Sequence, residues 1–240
     1  MLVKEKLQMD RAGLIAHGAV TIAIFGDSVS HGALNGNYNY ETVYWRRLQK
    51  KLTAFRDCIP VNMINAAVSG TTAKSSLKRL EKQVLLHAPD LTIVSFGLND
   101  VNGPKEDYLG ALREIFTRVR EVGSDLIFMT QNMMNTYVAD DTPPQHIEYA
   151  HKTAEMQNSG KVDDYMASAI ALAREMGVTV CDCYAEWKRL AESEDTTMLL
   201  VNRINHPIPE MHELFAERLY QLIIGEEDTD AKTDEGMFQG

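Results

Sequence analysis

Five short stretches of the chain are almost continuously apolar, and the segments between them repeat their apolar positions every three or four residues. Val20–Phe25 reads Val-Thr-Ile-Ala-Ile-Phe and stops at Gly26, the pattern of a strand covered on both faces. Residues 61–68, 91–96, 125–130 and 178–183 are four further candidate strands. Leu77, Leu80, Val84 and Leu85 then fall on one helical face, as do Leu109, Leu112, Ile115, Phe116 and Val119. Tyr165, Met166, Ala169, Leu172, Ala173 and Met176 do the same before the fifth strand. Met211, Leu214, Phe215 and Leu219 mark a terminal helix after Pro209, and a weaker helical pattern covers 40–55. Trp45 and Trp187 fall in helical segments and read as core or interface anchors.

Strands alternating with helices predict an α/β fold: three layers, α/β/α, around a five-stranded parallel sheet. Right-handed crossovers leave few topologies, and five strands suit the flavodoxin-like order. No internal repeat or linker interrupts residues 1–224, which read as one domain. Residues 225–240 read as an acidic tail, expected to be poorly ordered.

Composition narrows the partners. The formal charge is -10, and the tail alone, with six acidic residues and one lysine, supplies -5 of it. The remaining body is only mildly acidic and shows no basic stripe, which argues against a nucleic-acid partner. No apolar run reaches the roughly 20 residues that span a bilayer. The amino-terminal segment has no apolar run of the kind a secretory leader carries, so a cytoplasmic protein without membrane insertion is expected. Cys58, Cys181 and Cys183 lack the paired spacing of a zinc site and read as core thiols.

One connection is long. From Gln131 to Gly160 there is no clear strand and only partial helical signal. Such segments are often functional, and this one is expected to shape the substrate pocket as a lid or binding loop, with Met133, Met134 and Tyr137 as lining.

The first strand runs directly into Gly26-Asp27-Ser28-Val29-Ser30. Open α/β sheets bind ligands outside the carboxyl ends of their strands, where strand order reverses. In the flavodoxin-like order Ser28 stands on one side of that crevice and Gly97-Leu98-Asn99-Asp100 on the other. A serine hydroxyl needs a base to take its proton and donors to hold an oxyanion. The Asn99 amide and the backbone N–H groups of Ser28 and Gly70 are candidate donors, and His206, before Pro207, is the candidate base. His212, near the start of the terminal helix, reads as a surface or half-buried residue and the fallback base.

Other sites find little support. There is no GxSxG, GxGxxG or GxxxxGK[ST]. The glycines of 32–36 are weak evidence for a phosphate loop. Asp27 and Asp100 have no histidine cluster beside them, so structural hydrogen bonding suits them better than a metal. No cofactor and no metal are expected.

Taken in order, GDSVS at 26–30, Gly70, GLND at 97–100 and His206-Pro207 resemble the SGNH hydrolase superfamily, the GDSL-like lipase/acylhydrolase family. The resemblance spans about Val20 to Leu222. It implies a flavodoxin-like fold with Ser28 as nucleophile and His206 as general base. It also implies an oxyanion hole of the Ser28 amide, the Gly70 amide and the Asn99 side chain, acting on small carboxylic esters, acylated carbohydrates among them. The family usually has an aspartate three positions before the histidine, to orient it. Here that position is Arg203, which cannot accept a hydrogen bond. Either Asn202, Asn205, a backbone carbonyl or an acid from elsewhere orients His206, or the chain is a weakly active or non-catalytic small-molecule-binding relative. A flavodoxin-like nucleotide or flavin binder is a third reading, carried by fold and the 32–36 loop alone.

Overall fold

The computed structural model describes residues 2–56 and 59–225. Cys58 and all but the first residue of the acidic tail lie outside the described residues. The strands are β1 (Val20–Gly26), β2 (Val61–Asn65), β3 (Leu91–Ser95), β4 (Asp125–Met129) and β5 (Thr179–Cys181). They form one parallel sheet in the order β2-β1-β3-β4-β5, the flavodoxin-like order. The helices are α1 (Leu2–Leu7), α2 (Arg11–His17), α3 (Ser28–His31), α4 (Tyr44–Ala54), α5 (Ala73–Gln83), α6 (Lys105–Glu121), α7 (Ile147–Asn158), α8 (Lys161–Glu175), α9 (Cys183–Leu190) and α10 (His212–Ile224).

Side-chain character explains the layering. All five β3 residues are buried, as are six of the seven in β1, so both strands need cover on both faces. The chain moves from β1 to β2 through α4, then reverses and steps through α5, α6 and α8 towards β5. Right-handed crossovers therefore place α4 on one face and α5, α6 and α8 on the other. α10 packs beside α4, and α5, α6 and α8 pack in a row. Each buried core side chain such as Phe25, Phe96 or Phe128 contributes roughly 1.5–3 kcal/mol.

The strands match the apolar runs: β2, β3 and β4 end earlier than the runs, β5 is shorter at both ends, and β1 runs one residue further, to Gly26. Trp187 is fully buried and Trp45 nearly so, as core anchors. Cys181 and Cys183 are both buried, their sulfurs 3.6 Å apart. Among the described residues no helix is long and apolar enough to cross a membrane. No group of three or more His, Cys, Asp or Glu side chains there is placed to hold a metal ion.

The connection after β4 departs from expectation. Residues 147–158 form α7, whose buried residues are Ala150, Thr153, Ala154, Met156 and Gln157; with Met156 the one large apolar side chain among them, the apolar periodicity is faint. Met133 and Met134 are buried in the core, whereas Tyr137 is exposed and donates its hydroxyl to Asp195 at 2.6 Å.

His212 also departs from expectation. It opens α10 yet is 1% exposed, its ring stacked on Tyr44 and edge-on to Phe215. Its Nδ1 accepts the Tyr44 amide at 3.3 Å. It is a core acceptor, not a solvent-facing base. Burial, and next the Arg47 charge, push its pKa down to about 3. The folded protein keeps it neutral while the unfolded chain protonates it below about 6.5, so stability falls as pH falls through that window. Between pH 7 and pH 5 the wild type is expected to lose about 2 kcal/mol more than His212→Gln, measured by urea unfolding of both proteins at both pH values.

Candidate active site

The site begins where β1 ends. A Cβ added at Gly26 would lie 2.5 Å from Ser30 Oγ and 2.7 Å from the Ser95 carbonyl, so only glycine lets the chain turn here beside β3. Asp27 caps α3, accepting the Val29 amide at 3.1 Å, and Gly32 ends it in the left-handed region at φ 84°. A four-residue helix has no stability of its own. α4 holds it: Tyr44 Oη lies 2.8 Å from Ser30 Oγ, and Trp45 Nε1 donates to the Ser30 carbonyl at 2.8 Å. Ser28 is thereby fixed at the carboxyl edge of the sheet.

His206 comes from the far end of the chain. Its Nε2 lies 3.0 Å from Ser28 Oγ. Its Nδ1 lies 2.8 Å from the Leu34 carbonyl oxygen. A carbonyl only accepts, so Nδ1 carries the proton and Nε2 presents a lone pair to the serine hydroxyl. Burial lowers the His206 pKa below its ordinary value, only partly opposed by the Leu34 contact, and His146 adds a smaller push in the same direction.

Arg203 takes no part in that contact. At φ 57° its guanidinium turns to Asp141, 2.8 Å away, and to the carbonyls of Met198 and Leu200. Asn202 positions the histidine loop instead. Its Oδ1 accepts the amides of Ile204, Asn205 and His206 at 3.1, 3.0 and 2.9 Å. The stretch after β4 supports the same loop: the Asn135 amide donates to the Ile204 carbonyl, and Asn132 Nδ2 to that of Asn205.

Gly70 and Asn99 flank the crevice. Gly70 adopts φ 74°, a conformation that favours glycine. Among the described residues no acceptor faces the Gly70 or Ser28 amide. Asn99 Nδ2 donates to the Thr71 carbonyl at 3.1 Å and makes a longer contact, 3.4 Å, with Asp27 Oδ2.

Beneath them lies a buried polar floor that sequence reading assigned only in outline. Asp27 is fully buried, and burial pushes its pKa up to about 7 against the donors Gln131 and Val29, with Asp100 pushing the same way as burial. Burial likewise raises Asp100 to about 6, while its Oδ1 accepts the Ala73 amide at 2.9 Å. Gln131 joins the two sides: Nε2 donates to Asp27 Oδ1 at 2.8 Å, and Oε1 accepts the Leu98 amide at 3.1 Å. Neither Gln131 nor the Leu34 carbonyl carries a sequence signal. Gln131 is the middle of three polar residues after β4, Thr130 to Asn132, which does not single it out, and a main-chain acceptor leaves no trace at all.

The chain resembles known proteins in sequence and in shape. The model of the GDSL-like Lipase/Acylhydrolase family matches residues 24–214. A search of curated protein sequences gave no match. Among solved structures, an acetylxylan esterase from Geobacillus stearothermophilus superposes with a TM-score of 0.67 at 18% identity, covering 87% of this chain and 95% of its own. A lipase/acylhydrolase from Enterococcus faecalis does so with a TM-score of 0.64 at 22% identity, covering 86% and 96%. An alpha/beta hydrolase from the metagenome of Lake Arreo, Spain, gives 0.65 at 18% identity over 86% and 96%. Those identities speak for the shared fold, and the family match, across most of the sequence, for descent. The chain belongs to the GDSL-like lipase/acylhydrolase family and is a carboxylic ester hydrolase at the level that family defines.

Proposed function

We propose that the protein hydrolyses small carboxylic esters, acetyl esters of carbohydrates among them, with Ser28 as nucleophile and His206 as general base. The observation that carries this reading is the Nε2 lone pair of His206 facing the Ser28 hydroxyl at 3.0 Å while Nδ1–H is held by Leu34. As Ser28 Oγ attacks the ester carbonyl carbon, Nε2 takes its proton, and the imidazolium then returns it to the departing alcohol. Water, activated by the same nitrogen, releases the acid from the acyl-serine. The Ser28 and Gly70 amides and Asn99 Nδ2 meet the oxyanion, each such donor being worth roughly 10²–10³ in rate. The long Asn99–Asp27 contact leaves one amide hydrogen free to turn towards it.

Catalytic mutants of the Geobacillus acetylxylan esterase fall at a serine, an aspartate and a histidine, the last three residues beyond the aspartate. Here the Leu34 carbonyl fills the aspartate's orienting role. A neutral dipole steadies an imidazolium less than a carboxylate does, which lowers the attainable rate without abolishing the mechanism. Gln131 sets the distance between nucleophile and Asn99 by holding both loops, and its bond to Asp27 favours the ionised acceptor that Asn99 needs.

A fluorophosphonate probe is expected to label wild-type Ser28 and neither Ser28→Ala nor His206→Ala. The labelling rate should fall with pH about a midpoint below 6.5, because burial keeps His206 neutral and competent to that point. No labelling at saturating probe would identify a ligand-binding relative instead. With p-nitrophenyl acetate, Arg203→Ala is expected to keep kcat within about threefold, whereas Asn202→Ala loses at least about tenfold and about 1–3 kcal/mol of stability. Gln131→Leu should lower kcat roughly tenfold or more with KM little changed, since it loosens the oxyanion donor and not the ground-state contacts.

A further inference from the structure

A cluster of aromatic rings stands beside the candidate nucleophile and has no part in the chemistry above. Ser28 and His31 are three residues apart on α3, so their side chains lie on one face, about 5–6 Å apart at Cβ. The His31 ring centroid is 4.4 Å from that of Tyr38 and 6.0 Å from that of Tyr40. The two tyrosine rings lie within 8° of parallel. They are 49% and 47% exposed, so about half of each tyrosine meets solvent.

The cluster is held in place. His31 Nδ1 lies 3.0 Å from Ser69 Oγ, next to Gly70, and Nε2 lies 3.3 Å from Tyr40 Oη. Tyr38 pairs with Ala33 across a short hairpin, whose Leu34 amide donates to the Asn37 carbonyl at 2.9 Å. The rings therefore form a fixed surface reaching from the oxyanion side of the crevice outwards. Rings already immobilised lose little entropy on binding.

Chemistry narrows the ligand. From Ser28 to Tyr40 the chain carries no Asp, Glu, Lys or Arg, and the exposed Glu41 that follows is paired with Arg46 and Lys50, so the surface suits an uncharged group. Asn35 and Asn37, both exposed, bring two side-chain amides to the same hairpin. A fatty acyl chain would strip water from those amides and give no hydrogen bond in return. A sugar ring offers C–H faces for the tyrosines and hydroxyls for the amides. We propose that Tyr38 and Tyr40, held by His31, form a subsite for the pyranose ring of an acylated glycoside, with the acyl group turned towards Ser28. This inference rests on the hydrolase reading of the same site.

The test compares a per-acetylated methyl pyranoside with p-nitrophenyl acetate, which has no sugar. In the Tyr38→Ala/Tyr40→Ala protein the ratio of kcat/KM values, glycoside over aryl ester, should fall roughly tenfold, while Tyr38→Phe/Tyr40→Phe keeps it within about twofold. An unchanged ratio, or a Phe pair as impaired as the Ala pair, overturns the subsite. Calorimetric titration of the glycoside into Ser28→Ala protein, with and without the Ala pair, separates the two readings. Binding lost with the Ala pair, where the wild type with Ser28 intact hydrolyses neither ester, keeps the subsite and removes the hydrolase. Hydrolysis of the aryl ester with no glycoside binding keeps the hydrolase and removes the subsite.

Discussion

The arrangement around Ser28 depends on one contact, the hydrogen bond from His206 Nδ1 to the Leu34 carbonyl. An imidazole has two nitrogens and, when neutral, one proton to share between them. An acceptor-only partner settles the division, and everything on the Nε2 side follows from it. The contact links residues 172 positions apart, so it exists only once the sheet has brought both ends of the chain to one edge. The Asn202 side chain, collecting three successive amides, then holds the ring at the right height.

Electrostatics beneath the site work in the opposite sense to those around His206. Burial disfavours charge on Asp27 and Asp100 as it does on the imidazole, but for a carboxyl this raises the pKa and for a base it lowers it. The Asp27 carboxyl stays useful because donors surround it: the Val29 amide, Gln131 and Asn99. It caps α3, anchors the β4 connection and touches the Asn99 side chain at once. A fully buried acid at this point is thus a structural knot placed immediately before Ser28.

How far this was legible in the sequence depends on where each group keeps its information. Strands such as β1 and β3 are buried on both faces, so their composition alone betrays them. Ser28, Gly70, Asn99 and His206 could be named because each follows a strand or precedes a helix in a recognisable order. α7 leaves only a partial helical signal because its inward face is mostly alanine, threonine and glutamine, with Met156 the one large apolar side chain. His212 was misjudged because helix starts are usually wet, whereas this one is roofed by Tyr44 and Phe215. For the partner of His206 Nδ1 the sequence allows a backbone carbonyl but cannot say which one: every residue has a carbonyl, and only the path of the hairpin singles out the one at Leu34.

That last property carries an evolutionary consequence. An acceptor supplied by the main chain cannot be removed by any single-nucleotide change at its own codon, since all side chains bring the same oxygen. Selection on histidine alignment therefore shifts from residue identity to hairpin length and curvature. It also frees position 203, where an arginine with a left-handed backbone now serves to tie down a neighbouring turn through Asp141.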